Sequence, residues 1–130
     1  MQNRLFERFS QGQMNVAVGS TDLGALPWSE HKDFAGVYLK NVLSGEYSQG
    51  LLTCHLVRLE PGAVIGRHIH AGALELHEVV EGDGVCLTPE GEIPYAPGSM
   101  AVIACNVPHE VRAGAQGLCL LAKFVTVPGD

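Results

Sequence analysis

The sequence has few positively charged residues and few aromatic residues. Its 130 residues include eight Lys and Arg against fourteen Asp and Glu, which gives a formal net charge of −6, and only one tryptophan. The basic residues are dispersed, so the sequence predicts neither a nucleic acid nor an anionic membrane as partner. No apolar run approaches the roughly 20 residues of a membrane-spanning helix. The N-terminal residues lack the apolar region of a signal peptide, and we therefore expect a cytoplasmic protein.

Closely spaced cysteine pairs are also missing. The four cysteines, Cys54, Cys86, Cys105 and Cys119, form no CxxC motif, which disfavours a zinc site built from thiolates. In a reducing compartment we expect them to be free thiols. Cys105 lies four residues before His109, and a redox role is the alternative for this thiol to an inert, structural one.

Glycine and proline are abundant, and they divide the chain into short apolar segments. The 16 glycines and seven prolines are scattered rather than clustered, and turn signals recur about every 8–12 residues, which favours a sandwich or barrel over βαβ units. No window of about 11 residues has a helical apolar stripe. The predicted strands are Ala35–Val42, Leu51–Leu59, Val64–His70, Leu74–Val80, Val85–Thr88, Ile93–Tyr95, Met100–Ala104, Glu110–Ala113 and Leu118–Val127, with Asn15–Val18 as a further candidate.

The chain is long enough for one domain, which would bury about two-thirds of its unfolded surface. Residues 1–45 are predicted to form an irregular N-terminal arm with the first strands, packed on a barrel formed by residues 46–130. The loop Gly24–Phe34 is interrupted by Pro27 and is the candidate lid or docking arm. Its Trp28 is expected to cap the barrel or an interface, and its His31 to be exposed.

Three histidines and one glutamate are the candidate metal ligands. His68 and His70 are separated by one residue on a predicted strand, so their imidazoles point the same way, with Cα atoms about 6.6 Å apart. A turn and a second strand can present Glu75 to the same point, and His109 follows Pro108 further along the chain. Three imidazoles and one carboxylate suit a divalent first-row transition metal better than calcium or magnesium, which prefer oxygen ligands.

This region resembles the first signature motif of the cupin family. Gly62, His68, His70, Glu75 and Gly82 follow the spacing Gly-x5-His-x-His-x4-Glu-x6-Gly position for position. The resemblance covers roughly residues 51–127 and implies an all-β fold, a double-stranded β-helix or jelly-roll barrel. It also implies metal ligation by these two histidines and the glutamate, and a homodimer, because cupins commonly dimerise.

The second cupin motif, Gly-x5-Pro-x-Gly-x2-His-x3-Asn, is matched only in part. Gly98 and His109 match, and the resemblance makes His109 the third imidazole ligand. Ala104, Asn106 and Ala113 stand where the motif has Pro, Gly and Asn. Asn106 is a mild departure because asparagine tolerates left-handed backbone.

His77 is a further histidine on the predicted inner face. Glu75, His77 and Val79 alternate on one side of the strand, so His77 is expected to point into the metal cavity. It is predicted to line the cavity, to replace Glu75 as ligand, or to act as a general acid or base. The opposite face carries Leu74, Leu76 and Val80, an apolar strip that another segment or a second subunit is expected to cover.

Two other residues near the motif are given structural interpretations. His55 is expected to be a satisfied interior or interface histidine. Gly66 shares the face of His68 and His70, where it either leaves room for a substrate or neighbouring chain, or marks a β-bulge.

The site predicts a metal-dependent enzyme. Four protein ligands on an octahedral ion leave two positions for a chelating substrate, or for substrate and dioxygen. We expect one ion per chain, with iron, manganese, nickel and zinc all open, and a small polar, oxygen-rich substrate. The resemblance leaves dioxygenase, isomerase, decarboxylase and lyase reactions open. The alternatives are a metal or small-molecule sensor that works with a separate regulator, and a storage protein.

Overall fold

The structure, a computed structural model, describes residues 5–127 and is built almost wholly from antiparallel strands. One α-helix, α1 (Leu5–Ser10), and two short 3-10 helices, Leu23–Ala25 and Gly45–Tyr47, accompany the strands in this range. The strands are β1 (Gln13–Val16), β2 (Gly19–Asp22), β3 (Ser29–Glu30), β4 (Val37–Leu43), β5 (Leu52–Leu59), β6 (Val64–His68), β7 (Ala73–Thr88), β8 (Gly91–Tyr95), β9 (Met100–Ile103) and β10 (His109–Thr126). The predicted all-β jelly-roll barrel is confirmed.

Two long strands, β7 and β10, run through both sides of the barrel. Strands β3, β4, β5, β10, β7 and β8 are hydrogen-bonded in that order, while β6 pairs with β10 and β9 pairs with β7. The first part of β10 pairs with β6, whereas its second part pairs with β5. Each long strand was predicted as two strands separated by a turn, and the structure corrects this: the chain bends there without reversing.

Glycines explain how β7 and β10 bend at this position. Gly82 and Gly117 both have positive φ, +82° and +75°, a conformation that costs glycine little. A Cβ atom on Gly82 would overlap the carbonyl group of Gly117, so the two backbones approach more closely than side chains allow. The register between β7 and β10 shifts on both sides of Gly82. Such irregularities increase local twist, which lets one strand serve both sheets.

The barrel interior and the outer surface of β5 carry separate apolar clusters. The inner cluster is built on residues that alternate along the strands, including Val57, Leu59, Val79, Val111 and Leu120. The outer cluster joins Leu56, Val42 and Cys54 to Phe6 of α1 and Leu23. The N-terminal elements therefore cover part of the outer face, and the boundary predicted at residue 45 stays a prediction.

Lys40 ties the N-terminal elements to the sheet. Its side chain is only 1% exposed, and its Nζ donates to the carbonyl oxygens of Ser10 (2.8 Å) and Leu23 (2.9 Å). The ammonium group also lies 5.3 Å from the centre of the Trp28 ring. Burial lowers the pKa of Lys40. Trp28 packs in this outer cluster, with Phe6 at a ring distance of 6.0 Å.

Part of the outer face of β7 remains uncovered in the single chain. Val80 belongs to the cluster under the N-terminal elements, whereas Leu74 and Leu76 are half-buried beside exposed side chains. Val102 pairs with Leu76 and is 66% exposed, and Met100 is 68% exposed. Among residues 5–127 no helix is both long and apolar enough to cross a membrane.

Candidate metal centre

The four predicted metal ligands meet at one end of the barrel. His68 ends β6, His70 follows it, Glu75 lies in β7 and His109 begins β10. His68 and His109 are direct partners across β6 and β10, which places their rings with centroids 4.2 Å apart. One nitrogen or oxygen atom from each of the four residues lies within 4.8 Å of the others. The pairing of β6 with β10 therefore brings His70 and His109 together, although they are far apart in sequence.

A turn before β10 supports the segment that carries His70. Asn106 adopts a positive φ of 68°, as expected from its tolerance of left-handed backbone. Its amide donates to the His70 carbonyl at 3.0 Å, and the Cys105 thiol donates to the Ala71 carbonyl at 2.7 Å. Cys105 therefore makes a structural contact beside the ligand cluster, and its redox role stays a prediction.

Backbone carbonyls orient two of the imidazoles. His68 Nδ1 donates to the carbonyl of Gly66 at 2.8 Å, and His109 Nδ1 donates to the carbonyl of Val107 at 3.0 Å. Because a carbonyl only accepts, both Nδ1 atoms carry their protons and both Nε2 atoms face the cluster. Such outer partners fix the tautomer and the ring orientation of histidines that bind metals.

Glu75 is the negative centre of the cluster. Its side chain is buried, with Oε1 at 3.1 Å from His109 Nε2 and 3.5 Å from His70 Nε2. Burial alone would raise the pKa of Glu75, but hydrogen bonds from His109 and His77 outweigh it and hold that pKa well below its ordinary value. Glu75 is therefore a carboxylate at neutral pH, the form that a cation requires.

Both ring nitrogens of His109 face hydrogen-bond acceptors, and these contacts affect its pKa. Burial alone would lower its pKa, but the hydrogen bond to Glu75 and the one to the Val107 carbonyl raise it. When Nε2 is protonated, its proton lies between His109 and Glu75, where a cation would bind. Burial is the largest influence on His70, and it lowers the pKa of that imidazole.

His77 stands behind Glu75, on the side away from His70. Its Nε2 donates to Glu75 Oε2 at 2.7 Å, and its Nδ1 lies 2.7 Å from the Tyr95 hydroxyl. Burial and the adjacent Cys86 thiol raise the pKa of Tyr95 far above its ordinary value, so the phenol keeps its proton. Both nitrogens of His77 are thus engaged. These contacts favour an orienting role for His77, and the acid–base role stays a prediction.

The donor set fits a divalent transition metal. A metal with ligand distances of about 2.1 Å keeps its ligands within roughly 4.2 Å of one another, close to the observed spread of 4.8 Å. The cluster also supplies what the ion needs: a charged carboxylate, two imidazoles whose orientation is fixed by backbone carbonyls, and a third imidazole, His70, with Nε2 at 3.5 Å from Glu75 Oε1. His68, His70, Glu75 and His109 could therefore hold one ion, and His77 would orient the carboxylate.

A cavity of about 380 Å³ opens above the ligand cluster. His68, His70, Glu75 and His77 line its floor, and much of its wall is apolar: Phe34, Leu39, Val57, Ile65, Leu120 and Phe124. The size falls at the lower end of the range of about 300–1,000 Å³ for ligand sites.

His55 and His31 were not predicted to belong to the site. His55 lines the cavity, and within residues 5–127 neither of its ring nitrogens makes a hydrogen bond, so it is not a satisfied interior histidine. The alternative that it lies at an interface stays a prediction. The alternation of side chains along β5 could have predicted this position, because His55 shares the inner face with Val57 and Leu59. His31 is half-buried and lines the cavity instead of being exposed.

The segment between β3 and β4 closes one side of the cavity. Its Phe34 ring packs 4.7 Å from His31 and lies against Gly66, where a Cβ atom would come within 2.9 Å of Phe34 Cε1. The space predicted beside Gly66 is therefore filled by this ring. Asp33 of the same segment lines the cavity and donates its amide to His31 Nδ1 at 3.0 Å. The predicted lid, Gly24–Phe34, thus contributes its last residues to the cavity wall.

Comparison with known proteins agrees with the barrel fold. A family model of the cupin domain matches residues 55–122, which include all four candidate ligands and His77. The chain therefore belongs to the cupin family. No curated protein matches the sequence.

Several solved structures share the fold at low sequence identity. A predicted oxalate decarboxylase from Thermotoga maritima is 21% identical with a TM-score of 0.73, covering 80% of this chain and 96% of its own. KdgF from Halomonas sp. is 19% identical with a TM-score of 0.67, covering 78% and 89%. A sugar phosphate isomerase of the cupin superfamily from Silicibacter pomeroyi is 24% identical with a TM-score of 0.67, covering 82% and 75%. At these identities the similarity shows the fold alone.

Proposed function

We propose that the protein is a cytoplasmic, metal-dependent enzyme that acts on a small, oxygen-rich molecule. The observation that carries this proposal is the convergence of three imidazoles and a carboxylate on the floor of a cavity. The four cysteines are free thiols, which fits a reducing compartment. The reaction is proposed to be of the decarboxylase, isomerase, lyase or dioxygenase type. Fold neighbours described as a decarboxylase and an isomerase support this range.

Residues at different positions in the cavity have different proposed roles. A bound divalent ion would supply Lewis-acid polarisation of substrate oxygens. His77 holds Glu75 in the orientation in which its other oxygen faces the imidazoles. The apolar wall excludes water from the reacting end of the substrate. Within residues 5–127, His55 is a cavity histidine outside the ligand cluster whose ring nitrogens make no hydrogen bond, and we propose it as the group that exchanges a proton with the substrate.

Metal content of protein prepared without added metal or affinity tag tests the proposal. We expect about one iron, manganese, nickel or zinc per chain in the native protein and a loss of that metal in His68→Ala. His55→Ala is the matched control, because His55 lines the cavity outside the ligand cluster, and it should keep its metal. The bound element then directs substrate screens towards redox or non-redox reactions.

Two results would contradict this assignment. Equal metal content in the native protein and in His68→Ala would show that the ion binds elsewhere. No metal in either protein, even after attempts at reloading, would favour the alternative of a small-molecule binding or sensor module that works with a separate regulator.

We also propose that two copies associate through the uncovered outer face of β7 and β9. Val102 and Met100 are exposed beside the half-buried Leu76, an apolar surface of the kind that monomers seldom leave in water. Val102→Asp should convert a dimer into a monomer in light scattering coupled to gel filtration, because a charge would be buried without a partner. Val18→Asp, at a 91% exposed position of the N-terminal hairpin, is the control. A native protein that is already monomeric at working concentration would contradict the proposal.

A further inference from the structure

The cavity contains no positively charged side chain among the described residues. Apart from the ligand cluster and His77, its polar lining consists of His31, Asp33 and His55. His31 accepts a hydrogen bond from the Asp33 amide on Nδ1. Asp33 adds a negative charge to the wall. Phosphate groups and carboxylates are usually recognised by Arg or Lys, and the wall offers neither.

Two arginines of the strands that lead to the ligand cluster, Arg58 of β5 and Arg67 of β6, point away from the cavity. Arg58 is exposed and stacks on the outer rings of Trp28 (4.7 Å) and Tyr38 (5.0 Å). Arg67 is exposed between Gly66 and His68 and does not line the cavity. Neither guanidinium group can therefore neutralise an anionic group of a molecule in the cavity.

The wall opposite the ligand cluster is shaped for an apolar group. Phe34 is seated against Gly66, while Phe124 packs edge-on to His70 at 4.9 Å and to His55 at 6.0 Å. These two rings flank the approach to the ligands together with aliphatic side chains of β4, β5, β6 and β10. A ligand that reaches the metal site must lie against them.

From this lining we infer the class of substrate. The substrate chelates the metal through two oxygens at one end and carries an uncharged, apolar body at the other, without a phosphate or a further carboxylate. This inference rests on the proposed metal-dependent function. It separates the chain from fold neighbours such as the sugar phosphate isomerase, whose name implies a phosphorylated substrate.

Three hydroxamate probes test the inference on protein loaded with cobalt or zinc. Acetohydroxamic acid has the chelating group alone, benzohydroxamic acid adds a phenyl body, and 4-carboxybenzohydroxamic acid adds a charge to that body. By isothermal titration calorimetry we expect benzohydroxamic acid to bind about tenfold more tightly than acetohydroxamic acid, because its ring is buried. The carboxylated probe should lose that gain, because its charge is desolvated without a cation.

Variants assign the two effects to named residues. Phe34→Ala should reduce the preference for the phenyl probe, whereas Phe9→Ala, a partly exposed ring of α1 outside the cavity, should not. Asp33→Asn should improve binding of the carboxylated probe, and Glu90→Gln, on the hairpin between β7 and β8, should leave it unchanged.

The outcomes separate the inference from the function on which it rests. If acetohydroxamic acid binds but the phenyl ring adds nothing, or the carboxylated probe binds equally tightly, the substrate class is overturned and the metal site stands. If none of the probes binds the metal-loaded protein, or the protein takes up no metal, the proposed function fails and the inference fails with it.

Discussion

Glu75 uses its two carboxylate oxygens for different neighbours. Oε1 faces the imidazoles of His70 and His109, and Oε2 accepts from His77 at 2.7 Å. His77 is in turn bound to Tyr95, so the carboxylate is oriented from inside the barrel. Removing the His77 side chain should make the orientation of the Glu75 carboxylate less fixed, while all four candidate ligands remain in place.

His77→Ala should therefore weaken metal binding by about 10- to 100-fold, the usual effect of losing an outer partner of a metal ligand. The measurement is a competition titration against a chelator of known affinity. His55→Ala, a cavity histidine that does not contact Glu75, is the control and should retain native affinity. An unchanged affinity in His77→Ala would show that the Glu75 carboxylate needs no such orientation.

The pH dependence of the metal-free protein follows from His109. Its pKa is raised in the folded state, so its contribution to stability is complete below its unfolded value of about 6.5 and is lost as pH rises through the folded pKa. We expect the free energy of unfolding of the chelator-treated protein to fall from pH 6 to 8.5 relative to His109→Gln. Denaturant titrations at both pH values measure it. Parallel pH curves for the two proteins would contradict the raised pKa.

At the scale of elements, the N-terminal segment is held by one buried cation. Lys40 reaches from β4 to the carbonyl of Ser10, the last residue of α1, and to the carbonyl of Leu23, the first residue of the first 3-10 helix. Methionine can replace the stem of this side chain but donates no hydrogen bond. The Ser10 carbonyl would then lose its hydrogen bond from Lys40 inside the fold, while the Leu23 carbonyl would keep only the bond from the Leu26 amide at 3.1 Å.

Lys40→Met should lower the free energy of unfolding by about 1–3 kcal/mol, the cost of leaving one buried acceptor, the Ser10 carbonyl, unsatisfied. Urea denaturation measures this change, and Lys32→Met, at an exposed position, is the control. Because Lys40 lies on the outer side of the sheet, metal content should remain native. Equal stability of the two variants would contradict the structural role of Lys40.

Individual elements differ in how well the sequence predicts them. Strands such as Leu52–Leu59 have an alternating apolar pattern that the sequence shows directly. The same alternation predicts which side chains of β7 face the ligand cluster. The six-residue helix α1 is too short for an apolar period and is stabilised by packing of Phe6. In the sequence, Gly82 and Gly84 predict a turn, but the same residues also permit a bend within a continuous strand.

The cavity wall could be predicted less well than the ligands. His68, His70 and Glu75 lie within eight residues of sequence, so local geometry brings them together. The placement of Phe34, Asp33 and His31 depends on how the segment between β3 and β4 crosses β6, a contact between residues far apart in sequence. Contacts between residues far apart in sequence produce no periodic pattern in the sequence, so this packing could not be predicted from it.

For the whole molecule, the metal would bridge both sides of the barrel, because its ligands come from β6, β7 and β10. Binding to the folded state alone should stabilise the protein by about 2.7 kcal/mol at a free metal concentration 100 times the dissociation constant. Differential scanning calorimetry should show an increase of several degrees in the melting temperature, reversed by a chelator. His68→Ala is the control, and a similar increase in this variant would place the stabilising ion elsewhere.

Strand β10 carries His109 at its start and the cavity residues Leu120, Ala122 and Phe124 towards its end. It pairs with β5, β6 and β7, so most of the barrel is closed by the strand that the ribosome makes last among the described elements. His68, His70 and Glu75 emerge earlier, as a flexible and incomplete ligand set. The four candidate ligands are therefore together only after β10 has closed the barrel, so an ion that needs all four would bind after the fold is complete.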